Sequence, residues 1–390
     1  MFILSHKIKL DPTMKQDAFL RRCCGVARFT WNYALAEWIR AYEAGEKPTA
    51  NMLKARFNAI RREQFPWTYE VGRDCTSQPF ADLGKAFSSF FAKQTRYPKF
   101  KKKCQHDAFY LANNVFAVDG ERARLPHIGW IRMREALRFD GRILSGRVVH
   151  ETDGWYLAIQ VELPDDYHRP RSGDDTVGVD LGVKTAVVLS TGEQIDSPKP
   201  LKKHLKRLRH LQRQFSRKQK GSKNSRKAAS KVARLHKRIA NIRSDWTHKV
   251  TSRLCRENQA VAIEDLNVSG MLANHNLARA ISDIGFREIR RQLEYKLPLH
   301  GGVVLLVDRW YPSSRLCSDC GAKHETLTLS DRTFVCPSCG VVRDRDLNAA
   351  LNIRTAGLAG IACGLESSDG ASRETIRDEA GTIPCSLVGT

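Results

Sequence analysis

Val177-Gly-Val-Asp-Leu-Gly-Val183 is an apolar run of strand length that ends on a lone carboxylate and a glycine turn. Residues 176–190 accordingly read as a strand, a Gly-containing turn and a second strand, with Asp180 at the end of the first. The same device recurs in Val261-Ala-Ile-Glu-Asp-Leu-Asn267, where a buried-type strand ends on Glu264. A helix over 278–297 and an apolar strand over 302–307 follow. A closing helix over 346–356 opens with Asp346, in Asp344-Arg-Asp-Leu-Asn-Ala-Ala350. The chain reads as a multidomain α+β protein.

Each acid alone has an ordinary explanation as a cap or turn residue. Together they have a chemical one. Magnesium takes hard oxygen ligands and holds phosphates beside retained waters. Two such ions about 4 Å apart stabilise the attacking and leaving oxygens of a phosphodiester displacement. Three carboxylates converging from separate elements suit that work. Asp265 and Asp344 compete for two of the places. Side chains alternate along a strand, which turns Asp265 to the opposite face. Asp344 stays open, because two residues at a helix start are not far apart.

Cys317-Ser-Asp-Cys320 and Cys336-Pro-Ser-Cys339 aim two pairs of thiols at one point, and Gly321 and Gly340 follow where the chain must curl back. Two such pairs predict a closed four-thiolate zinc site, structural rather than catalytic. His324 is a weak rival ligand. The other seven of the eleven cysteines are scattered (Cys23, Cys24, Cys75, Cys104, Cys255, Cys363 and Cys385), and the total is odd. With no export signal in view, the thiols are expected to be reduced and the chain cytoplasmic.

Lys and Arg number 65 against 42 Asp and Glu, a net charge of +23, so a polyanionic partner is expected. No apolar run is long enough to span a membrane. The excess is concentrated: no acid lies between Asp196 and Asp245. There Leu201, Leu205, Leu208, Leu211 and Phe215 recur at helical spacing, Gly221-Ser222 interrupts, and helix resumes over 228–242. The basic stretch 199–243 is expected to face phosphates, with Lys202, Lys203, Lys206, Arg207, Arg213, Arg217 and Lys218 as candidate contacts.

Residues 2–10 alternate as a strand. Thr13 and Gln16 form a capping box that opens a long helix to about residue 42, and further helices are predicted over 52–60 and 78–94. From residue 97 to 163 short alternating runs flank hairpin turns at Asp119-Gly120 and Asp153-Gly154, which reads as a β-barrel or half-barrel. The stretch 358–390 is Gly/Ser-rich and weakly patterned, so it is expected to be disordered.

These pieces resemble the TnpB proteins of bacterial insertion sequences, relatives of the type V CRISPR nucleases. The resemblance is carried by Gly178-Val-Asp-Leu-Gly-Val-Lys184, Ile263-Glu-Asp-Leu-Asn267, the two Cys-x-x-Cys-Gly turns and Asp344-Arg-Asp-x-Asn-Ala-Ala-x-Asn-Ile353. Upstream, Arg28-Phe-Thr-Trp-Asn32 and Arg96-Tyr-Pro-Lys-Phe-Lys101 are similar to that family too. The resemblance implies an RNA-guided, magnesium-dependent DNA endonuclease. Its expected parts are a wedge-type β-barrel (1–10 and 96–165) with an inserted helical recognition unit (11–95). An RNase H-like RuvC nuclease domain (174–310 and 342–357) follows, split by a zinc ribbon (311–341). Asp180, Glu264 and Asp346 would hold two Mg2+, and Cys317, Cys320, Cys336 and Cys339 one Zn2+. The implied partners are a noncoding guide RNA from the transposon end and a double-stranded DNA target, with the protein nucleoid-associated when bound. Pairing would read the target and protein contacts a short adjacent motif; Ser77, Gln78 and Lys85 are the candidates for that contact. All three acids and all four cysteines are present, against the nuclease-dead regulators descended from the family. The rival readings are an RNA-guided DNA-binding regulator that does not cut, and a transposase-type strand-transfer enzyme.

Overall fold

The computed structural model describes residues 2–164, 167, 169–173, 175–328 and 331–362. It forms two compact units that divide at residues 165 and 166.

In the first unit, β1 (Phe2–Asp11) buries Leu4, His6, Ile8 and Leu10 at alternate positions. Then α1 (Met14–Glu43) starts on the expected capping box, with Thr13 and Gln16 bonded reciprocally. Helix α2 (Ala50–Gln64), a short 3-10 turn (Pro66–Glu70) and α3 (Asp74–Phe91) pack their aromatic faces onto α1. Trp38 and Phe87 stack there with ring centroids 4.1 Å apart. The remaining strands are β2 (Ala108–Ala112), β3 (Ala117–Asp119), β4 (Arg122–Leu125), β5 (Gly129–Met133), β6 (Arg142–Glu151) and β7 (Gly154–Leu163). Both predicted hairpins are present, and β1 pairs with β7 and β5.

The sheet does not close. Its order is β2-β6-β7-β1-β5-β4-β3, so β2 and β3 are unpaired edges rather than partners, and the expected barrel is corrected to an open sheet. Only residues 113–116 join those edges, so the sheet curls until they lie within about 18 Å of each other. Phe116, from that link, lies against Gly146 of β6, where an added Cβ would come within 3.0 Å of its ring. Of the link only Phe116 is buried, Asn113 and Asn114 being exposed, and the edges do not hydrogen-bond.

The second unit is built on a five-stranded sheet: β8 (Thr176–Asp180), β9 (Val187–Leu189), β10 (Gln194–Ile195), then β11 (Ala260–Glu264) and β12 (Val303–Val307). Its order is β10-β9-β8-β11-β12, with β8, β11 and β12 parallel. The link from β10 to β11 is the basic hairpin α4 (Pro200–Ser216) and α5 (Lys223–Glu257). Helix α5 extends to Glu257, beyond the predicted end at 242, because its last turns bury Val250, Leu254 and Cys255 under the sheet. After β11 come α6 (Val268–Ala273), α7 (Ala278–Ile284) and α8 (Phe286–Leu299). The single helix expected over 278–297 is thus two, broken at Gly285, whose φ of 82° leaves the helical region. Beyond β12 lie a two-stranded hairpin, β13 (Thr333–Val335) with β14 (Val342–Asp344), and α9 (Arg345–Ala362). Helix α9 continues into residues 358–362, where a disordered tail is expected to begin; the rest of that stretch, with Cys363 and Cys385, lies outside the described residues. No described helix is long and apolar enough to cross a membrane.

Candidate metal centres

Alternation decides which way the strand-end acids point. Val177, Val179, Val261 and Ile263 face the core packed by α5 and α8. Gly178, Asp180, Ala262 and Glu264 hold the intervening positions and share the other face, where α9 lies. The register pairs Ile263 with Val179 in parallel, so Glu264 and Asp180 leave adjacent strands at the same level. This is the carboxyl end of the three parallel strands of an open sheet, where such folds bind ligands.

Helix α9 supplies the third acid, and small residues let it settle. A Cβ on Gly178 would stand 2.1 Å from the Ala350 carbonyl oxygen, and one on Gly357 2.7 Å from the Ala262 Cβ. Asp346 lies one turn before Ala350, at the end of α9 nearer Asp180. Burial and the charges of Glu264 and Asp346 raise the Asp180 carboxyl from 3.8 to about 7. Burial raises Glu264 as well, against a hydrogen bond donated by the Ser313 hydroxyl. The acids therefore crowd like charge into a low-dielectric site, a repulsion that a bound cation relieves.

The two competing acids have other work. Asp265 turns to the opposite side and pairs with Arg290 and Arg309, whose hydrogen bonds hold it below the usual carboxylate range. Asp344 Oδ1 accepts from the Asp346 and Leu347 amides at 2.9 and 3.1 Å, capping α9.

Several residues missed in the sequence hold this arrangement. Asn348 and Asn352 are buried one turn apart on α9; Asn348 Nδ2 donates to the Leu316 carbonyl, and Asn352 Nδ2 to those of Ser313 and Leu316. Both residues were quoted above without a role, although amides on an apolar helix face are a signal of such anchoring. Gly178 carried the second missed signal, since a glycine inside a strand marks close backbone approach.

The four cysteines come together as expected. Their ligand atoms lie within 4.8 Å of one another, and no other such cluster occurs among the described residues. Cys317 and Cys339 Sγ are 3.7 Å apart and Cys320 and Cys336 Sγ 3.5 Å, close to the roughly 3.8 Å edge of a zinc–thiolate tetrahedron. The two turns match: Gly321 and Gly340 both have φ of 74°, and each amide donates to the first cysteine's carbonyl. The Cys339 and Ser338 amides also donate to Cys336 Sγ, which lowers that thiol to about 6 and favours the ligating thiolate. His324 is outside the cluster.

In the basic hairpin, Leu208, Leu235 and Ile239 form the seam between α4 and α5. Lys202, Lys203, Lys206, Arg207, Arg213, Arg217 and Lys218 are all exposed, and none meets an acid among the described residues. Asp283, buried in α7, joins the hairpin to the unit. Its carboxylate accepts from the Leu201 and Lys202 amides at 3.0 Å each and from Arg243 at 3.4 Å. In the first unit, Ser77 and Gln78 are half-buried on α3 and Lys85 is exposed. Gln78 Nε2 donates to Asp82 Oδ1 at 2.9 Å.

Comparison with known proteins finds relatives along most of the chain. The family profile "Probable transposase" of the IS605 OrfB type matches residues 158–275, and the profile "Cas12f1-like, TNB domain" matches 286–353. A third, "Helix-turn-helix domain", matches 1–47, where the structure has one strand and one long helix. A Streptomyces pristinaespiralis protein described as "Putative RNA-guided DNA endonuclease" is 38% identical over 368 residues, 92% of this chain and 90% of that protein. InsQ of Escherichia coli K12, described in the same words, is 36% identical over 381 residues, 92% of this chain and 94% of its own. A cryo-EM structure of a Cas12f1–sgRNA–target DNA complex shares the fold, with a TM-score of 0.52 at 15% identity, over 87% of this chain and 83% of that one. The chain belongs to the TnpB family of insertion-sequence proteins.

Proposed function

We propose that this chain is an RNA-guided, magnesium-dependent DNA endonuclease of an insertion-sequence transposon, cutting DNA complementary to a guide RNA beside a short motif. One observation carries the reading: Asp180 and Glu264 leave one sheet end at the same level with Asp346 of α9 beside them, and burial together with the charges of the other two raises Asp180 to about 7. The relatives described as RNA-guided DNA endonucleases support the guide and the substrate. In this reading the second unit is the RuvC-like nuclease domain split by a zinc ribbon, and the first carries the wedge and recognition functions.

Bound magnesium would supply the positive charge that stabilises the attacking and leaving oxygens. The chain's own residues prepare the site. Burial and the neighbouring acids favour the protonated form of Asp180, which must release its proton for its carboxylate to ligate. The Ser313 hydroxyl orients Glu264, and the Asp344 cap fixes the helix start that carries Asp346. The four thiolates would hold one zinc, bracing the loop that Asn348 and Asn352 tie to α9. The basic hairpin presents the exposed Lys202, Lys203, Lys206, Arg207, Arg213, Arg217 and Lys218 to the nucleic-acid backbone, and Ser77, Gln78 and Lys85 are the proposed readers of the adjacent motif.

The test is to incubate the RNA-loaded protein with a matching plasmid and magnesium. Cut plasmid supports the reading; binding without cutting makes the chain a regulator, and joined products make it a strand-transfer enzyme.

A further inference from the structure

Two quoted stretches, 28–32 and 96–101, take no part in either metal centre, and the structure sets them against each other. Trp31 Nε1 donates to the Lys99 carbonyl at 3.0 Å. Asn32 grips both polar groups of Lys101, its Nδ2 donating to the carbonyl at 3.0 Å and its Oδ1 accepting from the amide at 2.7 Å. Pro98 is buried, and Tyr97 rests edge-on against Phe87 and Phe90. The segment 97–101 is thus fixed to α1 at Lys99 and Lys101 without belonging to a strand or helix.

What this strap presents outward is unlike an idle loop. Arg96, Lys99, Lys102 and Lys103 are exposed, with no acidic partner among the described residues, and Phe100 is 52% exposed between them. Like charges at this spacing repel, and an exposed phenyl ring gains nothing from water. An exposed segment with those costs frays unless it is tied down, yet α1 commits an indole and an amide to fixing it.

We propose that the strap 96–103 is a docking site for an unpaired stretch of the guide RNA, with Lys99, Lys102 and Lys103 on phosphates and Phe100 stacked on a base. The aromatic ring decides the occupant. A duplex offers phosphates to the cations but keeps its bases stacked inside, whereas RNA loops splay bases onto aromatic side chains. This rests on the reading of the chain as RNA-guided.

The probe is the RNA recovered with the full-length chain, re-synthesised and titrated over a salt series. The parent is compared with Lys99→Ala/Lys102→Ala/Lys103→Ala, Phe100→Ala and Phe100→Trp, each first shown to melt like the parent. The triple variant should flatten the log–log salt slope by about 2, at about 0.7 per phosphate. Phe100→Ala should weaken binding roughly 5- to 150-fold, and Phe100→Trp should restore most of it. Unchanged RNA affinity and slope overturn the proposal. So does intact RNA binding with impaired capture of the target duplex, which assigns the strap to DNA. If no RNA accompanies the parent chain, the strap proposal and the function it rests on fall together.

Discussion

Asp180→Asn should abolish cutting and yet make the metal-free protein more stable. In the folded chain the Asp180 carboxyl is raised from 3.8 to about 7, first by burial and then by Glu264 and Asp346. A tenfold change in proton affinity is worth about 1.4 kcal/mol, so full ionisation of the folded site costs at most about 4 kcal/mol. Solvent reaches part of the residue, which reduces the expected gain to roughly 2 kcal/mol. The sign follows from proton counts. Between about pH 4 and 7 the folded chain keeps a proton that the unfolded chain has lost, so the parent loses stability as pH rises through that window. The asparagine variant lacks this loss. Its advantage should be full near pH 8, several degrees in the melting temperature of the second unit, and absent near pH 4. Thermal melts with EDTA at both pH values measure it. Magnesium at pH 8 should then stabilise the parent and not the variant, by mass action. A variant no more stable than the parent at pH 8 without metal would refute the argument that burial and the neighbouring acids make the ionised Asp180 costly.

Three further outcomes follow from the geometry. Elemental analysis should find one zinc per chain, and Cys336→Ser should lose it and lower the melting temperature; metal-free parent protein would contradict the tetrahedral site. Alanine at Lys202, Lys203, Lys206 and Arg207 should flatten the salt slope of single-strand binding by about 3, and an unchanged slope would leave them a solvated surface. Asp344→Ala should cost about 0.5–2 kcal/mol through the lost α9 cap but retain cutting. If it abolishes cutting while Asp346→Ala does not, the third ligand is Asp344.

Asp180 and Glu264 were legible because each closes a short apolar run, and Asp346 because it opens the last helix; strand alternation already separated Asp180 and Glu264 from Asp265. The cysteines were legible because their spacing is itself the geometry of the site. What escaped depends on contacts between distant segments. Nothing local in 113–116 says that Phe116 would turn into the sheet interior or that both edges would stay unpaired. Residues 278–297 keep an apolar face on both sides of Gly285, so periodicity alone carries one helix across a break made by a backbone angle. The choice between Asp344 and Asp346 needed the hydrogen bonds that cap α9. Gly178 was readable as a close approach, but only the structure names α9 as what approaches.

The central claim is that Asp180, Glu264 and Asp346 act as one magnesium-binding unit that cuts DNA. The most direct measurement is magnesium-dependent cleavage of a guide-matched plasmid by the RNA-loaded parent and the three single alanine variants, with target binding measured alongside. Each variant should bind the target as the parent does and cut orders of magnitude more slowly, and combining the substitutions should add little. An Asp180→Ala protein that cuts as fast as the parent would contradict the account.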